Sequence, residues 1–151
     1  GTGAMLAEFA AAGCTVRGLE YADAAIARCR ARGIEVTKFD IEHDSLDDDT
    51  AWDVAISMEV AEHLPEKIAD PYVDLLCARA PVVVMTAAPP GQGGTDHVNE
   101  QPPEYWIAKC AARGFDHDAA LTARLRAEWA AAGVTEWYHR NLLVFRRRLS
   151  A

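Results

Sequence analysis

The apolar positions of this chain come in short blocks whose spacing alternates between helix and strand. Residues 4–12 are rich in alanine, with Met5, Leu6 and Phe9 at helical spacing, and Gly13 stands where such a helix would stop. Residues 14–19 lean toward β structure and end at Glu20. Ala22 to Arg32 is helical again, and Ile34 to Phe39 alternates as a strand does, with Asp40 at its end. An acidic loop, Glu42 to Asp49, leads into Trp52–Met58, a buried strand. Pro65 opens a helix running to about Ala78, and Pro81 to Thr86 is the most apolar strand of all. Near-continuous apolar runs of this kind suit parallel strands covered on both faces.

Residues 87–102 are a long loop of glycine, proline and polar side chains, the kind that is functional more often than idle. A helix follows from Pro103 to Arg113, then a short strand at 115–118. A helix over 119–132 puts Leu121, Leu125 and Trp129 on one face, and a last strand alternates over 137–145. Arg146, Arg147 and Arg148 then read as a solvated strand edge, where charge discourages edge-to-edge pairing. The alternation predicts an α/β fold with a mostly parallel sheet and ligands at the carboxyl ends of its strands.

Composition narrows the function classes. With 151 residues, half of them apolar, the chain has the material of one domain and is not disordered. A net charge of −8 argues against a nucleic-acid grip through a broad basic face. No apolar run is long enough to span a bilayer, so no membrane role is expected. Cys14, Cys29, Cys77 and Cys110 are scattered, without a C-x-x-C pair. They read as buried thiols of a reducing, cytoplasmic compartment.

Several polar features fall at strand ends. Gly1-Thr2-Gly3 precedes the first helix, where absent side chains let a ligand approach the backbone and the helix N-terminus. Glu20 ends the next strand and suits both hydroxyls of a ribose. Asp40 ends the one after and can contact an adenine edge. In this order and spacing they describe a pocket for an adenosine-containing cofactor. Glu59-Val60-Ala61-Glu62-His63 follows the Trp52–Met58 strand, and His97 lies in the loop after the next. On a single turn Glu59, Glu62 and His63 can share a face. Two carboxylates and an imidazole, with His97 as a fourth group, make a divalent-metal set, magnesium or similar. The alternative for Glu62 and His63 is packing or capping. The alternative for His97 is a general base without a metal.

Gly1-Thr2-Gly3, Val16-Arg17-Gly18-Leu19-Glu20, Phe39-Asp40 and Asp53 through His63 together resemble the class I S-adenosylmethionine-dependent methyltransferases. The resemblance covers nearly the whole chain and implies a Rossmann-like three-layer sandwich whose final strand runs antiparallel. It implies that Gly1 and Gly3 end the glycine loop around the methionine part of S-adenosyl-L-methionine. Glu20 would hold the ribose, Asp40 and Ile41 would border the adenine, and Ser57 and Met58 would line the pocket near the sulfonium. The family's strand before the glycine loop is missing, so a single domain truncated at its N-terminus is expected. The Glu59, Glu62, His63 and His97 set is similar to that of two metal-assisted groups. These are the small-RNA 3′-end 2′-O-methyltransferases and the ubiquinone-pathway O-methyltransferases.

An acceptor hydroxyl needs a base or a metal, whereas a nitrogen or carbon acceptor needs less help. With Glu59 and His97 as catalytic residues, the expectation is O-methylation of a small hydroxylated molecule, a sugar or secondary metabolite, by a monomer or homodimer. An RNA 2′-O-methyltransferase and a non-catalytic cofactor-binding domain are the alternatives. A dehydrogenase fits less well, because the full G-x-G-x-x-G is absent and the E-V-A-E-H segment has no role there.

Overall fold

A computed structural model describes residues 1–46 and 50–149. Part of the acidic loop, Asp47 to Asp49, lies outside the described residues. The chain forms two compact units, Gly1–Leu46 and Asp47–Ala151.

The first unit is two helix–strand pairs: α1 (Ala4–Ala11), β1 (Gly18–Glu20), α2 (Asp23–Ala31) and β2 (Val36–Lys38). β1 and β2 run parallel, with Gly18 opposite Val36 and Glu20 opposite Lys38. α2 buries Ile26 and Cys29, the apolar pair expected from its spacing. Gly3 has φ +73, and a Cβ there would come within 3.0 Å of Cys29 Sγ. Glycine is therefore required for α1 to start so close to α2. Asp23 in the first turn of α2, with Arg28 and Arg30 in its last turn, complements the helix dipole.

The second unit holds β3 (Val54–Met58), α3 (Ala69–Arg79), β4 (Val82–Thr86), α4 (Pro103–Ala112), β5 (Phe115–His117), α5 (Ala119–Ala131), α6 (Glu136–Asn141) and β6 (Leu143–Arg147). Its sheet order is β3-β4-β6-β5. β3 and β4 are parallel, and β6 runs antiparallel to both β4 and β5. Three of the four strands therefore share one direction, and the last in sequence runs against them, as expected. The core includes Val73, Val83, Met85, Phe115, Val144 and Phe145, all fully buried. Asp118 caps α5, accepting from the Leu121 N–H at 2.9 Å. Among the described residues no helix is long and apolar enough to cross a membrane.

Four local expectations change. The helix expected from Pro65 begins at Ala69, because a 3₁₀ turn over Glu66–Ile68 comes first. The strand expected over 137–145 is two elements. Its aromatic-rich first half is α6, braced by an ion pair between Glu136 and Arg140 one turn apart, and only Leu143 onward continues as strand. The three arginines are exposed as expected but do not form an edge, since β6 lies between two strands. Arg146 pairs with Asp118 at 2.7 Å and Arg148 with Asp116 at 2.8 Å. Arg147 donates to the carbonyls of Cys77 and Ala80 and lies over the Phe115 ring. Cys14 is exposed, while the other three thiols are buried.

Candidate active site

The second unit gathers its polar chemistry beyond the carboxyl ends of β3 and β4. Glu59 follows β3 with φ +50, and Asp96 has φ +59. Among the described residues these are the two non-glycine residues in the left-handed region, a conformation that costs about 1–3 kcal/mol and clusters at functional sites. Thr86 at the end of β4 holds Glu59 there. Its hydroxyl accepts from the Glu59 N–H at 2.8 Å, and its carbonyl accepts from the same group at 3.2 Å.

Ala61–His63 then forms a 3₁₀ turn that carries Glu62 inward, fully buried. Neither Glu62 carboxylate oxygen has a hydrogen-bond partner in another residue. Burial pushes its carboxyl above the usual range, and the charge of Glu59 adds to this, while its own backbone N–H and the two nearby histidines pull the other way. The Glu62 carbonyl accepts from the N–H groups of Val98 and Asn99, at 2.9 and 3.0 Å. Those two bonds pin the long loop to the turn and bring His97 beside His63, with ring centroids 4.9 Å apart, edge to face. Glu62, His63 and His97 each offer an atom within 4.8 Å of the others.

Second partners aim the rings. His97 Nδ1 meets Glu100 Oε1 at 2.9 Å, and Glu100 also accepts from the N–H groups of Gly91 and Gly93. His63 Nδ1 meets the Asp96 carbonyl at 3.3 Å. Among the described residues neither Nε2 has a hydrogen-bond partner, and that of His97 lies nearest to Gly94. Gly94 lies against the His97 ring, and a Cβ there would overlap it. An orphaned buried carboxylate facing two oriented imidazoles fits a divalent cation.

Glu59 stands apart from this trio. It precedes the 3₁₀ turn in the left-handed region, and its carboxylate accepts from Gln92 Nε2 at 3.0 Å and from Asn141 Nδ2 at 3.2 Å. Asn141 also donates to Gln92 Oε1 at 2.8 Å. Gln92 and Asn141 belong to the wall of a cavity of about 500 Å³, which Pro89, Trp106, Arg126 and Trp137 also line.

The residues expected at the cofactor lie on both units. In the first, one Glu20 oxygen accepts from the Ala22 N–H at 2.9 Å. The Gly1 carbonyl accepts from the Cys29 thiol. Asp40 accepts from the Glu42 N–H and from His43, which hold its carboxyl below the usual range, with His43 the larger influence. Ile41 next to it is half-buried. In the second unit Ser57 Oγ accepts from the buried Tyr72 hydroxyl at 2.8 Å, and Met58 is half-buried at the end of β3.

Residues 1–76 match the family described as a methyltransferase domain, which is half of the chain. The chain belongs to the class I S-adenosylmethionine-dependent methyltransferases. No curated protein matches it. Solved structures do, at identities that show the fold. The sugar N-methyltransferase KedS8 from Streptoalloteichus sp ATCC 53650 is 16% identical, with a TM-score of 0.74 over 99% of this chain and 77% of that one. An S-adenosylmethionine-dependent methyltransferase from Mesorhizobium loti is 18% identical, with a TM-score of 0.64 over 97% and 87%. The 4+2 cyclase SpnF is 17% identical, with a TM-score of 0.65 over 99% and 73%.

Within this methyltransferase, two contributors carried no signal in the sequence, and the role of a third did not show there. Glu100 stands out among the loop's hydrogen-bonding residues, but its pairing with His97, three residues away, is set by the fold. Gln92 sits in a loop without periodicity, and Asn141 lies in a segment taken for strand, so neither carried a signal.

Proposed function

We propose that this methyltransferase methylates a hydroxyl of a small molecule, with Glu62, His63 and His97 holding a divalent cation beside the acceptor. The buried Glu62 carboxylate without a partner carries this reading, since such a group is costly unless something cationic joins it. A bound cation lowers the pKa of a hydroxyl it touches. The residues present a ready set around it: Glu100 keeps His97 turned, the Asp96 carbonyl keeps His63 turned, and Glu59 stays within electrostatic reach of Glu62. We assign Glu59 the acceptor side, where Gln92 and Asn141 hold its carboxylate at the cavity wall.

S-adenosylmethionine supplies the electrophilic methyl group, so the protein's task is orientation and exclusion of water. Gly1, Gly3, Glu20, Asp40, Ile41, Ser57 and Met58 are proposed to hold it in the roles expected from the family. The acidic balance of the chain favours a small acceptor over RNA.

Calorimetric titration of Mn²⁺ into the full chain with S-adenosylhomocysteine present tests the site. Binding in the micromolar range that Glu62→Gln abolishes is expected. No binding, or binding untouched by the substitution, ends the metal reading. His97 then stands as a base, and its replacement by alanine must remove turnover.

A further inference from the structure

The cavity beside Glu59 carries one charge that the protein does not answer. Arg126 projects from α5 and is half-buried. Its Nε donates to the Leu142 carbonyl at 3.0 Å, and among the described residues no carboxylate pairs with its guanidinium. Three other arginines of this region differ. Arg113 has Asp70 and Asp74, Arg146 has Asp118 and Arg148 has Asp116. Arg140, also at the cavity, is neutralised by Glu136. In a chain with net charge −8, a guanidinium at a cavity wall without a carboxylate is open to an anion.

The rest of the wall describes the body of the ligand. Trp137, half exposed, lines the cavity with Pro89, Pro103 and Leu143, giving flat apolar surface. Trp106 is itself almost fully buried, and its indole N–H has no partner. Gln92 and Asn141 form the polar wall, and both bond to Glu59.

We propose that the acceptor is a hydroxylated carboxylic acid with a flat ring. Its carboxylate sits on Arg126, its ring lies along Trp137, and its hydroxyl is presented on the side of Gln92, Asn141 and Glu59. This rests on the reading of the chain as an O-methyltransferase of small molecules, and names the substrate class. Arg126 suits the role because a guanidinium already fixed through Nε presents its remaining donors as a planar fork to a carboxylate. It is a specificity residue and takes no part in the proton movement.

A matched pair of probes tests this on the full chain with S-adenosylhomocysteine present: 3,4-dihydroxybenzoate and its neutral amide, 3,4-dihydroxybenzamide. The acid is expected to bind about 10-fold tighter than the amide, the difference one charge-assisted hydrogen bond makes. Arg126→Met should remove that preference and leave amide binding unchanged, and Arg126→Lys should keep part of it. Arg126→Gln, which retains a donor for the Leu142 carbonyl, replaces Arg126→Met if the latter unfolds. Equal binding of the two probes, no binding of either, or a preference that survives Arg126→Met overturns the proposal. Methyl transfer from labelled S-adenosylmethionine is followed in parallel. An Arg126-dependent preference without transfer leaves the anion site standing and removes the O-methylation reading. Transfer to acid and amide alike does the reverse.

Discussion

Two charged clusters of the second unit make opposite use of similar residues. At the foot of α3, Asp70 and Asp74 meet Lys109 and Arg113 of the segment around α4, at distances of 2.6 to 3.0 Å. Both aspartates are mostly exposed, and every charge has a partner. Beyond β3, Glu62 is fully buried, its oxygens have no partner in another residue, and two imidazoles face it. A satisfied surface cluster can form or break at little cost, because water replaces each partner. A buried, unsatisfied one is held by its surroundings against its own preference. That difference separates a cluster that fastens α4 to α3 from one kept for a ligand.

Turnover should show the contrast most strongly. Glu62→Gln is expected to lower methyl transfer by about 100-fold or more, the scale of losing an activated acceptor oxygen. Asp74→Asn should leave it unchanged. Initial rates with a confirmed acceptor decide, and equal rates in the two variants would erase the distinction.

Stability should move the other way. Replacing Glu62 by methionine, of similar volume and without charge, is expected to raise unfolding stability in metal-free buffer by about 1–3 kcal/mol. Added Mn²⁺ should stabilise the wild type and leave the variant where it was. Urea unfolding with and without the ion measures both. A variant less stable than the wild type shows that Glu62 has an internal partner after all.

The contrast was only partly legible in the chain. Local spacing gave away whatever depends on neighbours in sequence. α2 buries Ile26 and Cys29, α4 opens at Pro103, and the apolar run before Thr86 is a strand. Glu62, His63 and His97 could be named together because two strand ends were expected side by side. What stayed hidden depends on long-range hydrogen bonds. That Glu59 turns to Gln92 and Asn141 follows from a left-handed residue locked by Thr86, and no periodicity encodes it. α6 was hidden because Trp137 and Tyr138 favour strands locally, while the Glu136–Arg140 pair and the break at Gly133 favour a helix.

The supports of the buried cluster rank next. Gly94→Ala places a methyl group against the His97 ring, so the imidazole must shift. Mn²⁺ affinity is expected to fall about 10-fold, as outer-shell changes at metal sites do, with the unfolding transition little changed. Calorimetry on the folded variant reads this directly. Unchanged affinity would mean that the loop yields and that His97 is not held from that side.

The smallest effect belongs to the satisfied cluster, and its pH dependence identifies it. Lys109 first and Arg113 next hold the Asp70 carboxyl below its ordinary value. Its contribution is therefore present above the unfolded value, near 3.8, and is lost as pH falls through the lower folded one. Asp70→Asn should cost about 0.2–1 kcal/mol near neutrality, less in high salt, and nothing once the medium is acid enough to protonate the wild-type residue. Unfolding curves of both proteins should thus converge as pH drops. Curves that stay apart in acid would mean that Asp70 acts through its backbone position and the Arg113 contact with the Asp70 carbonyl, not through charge.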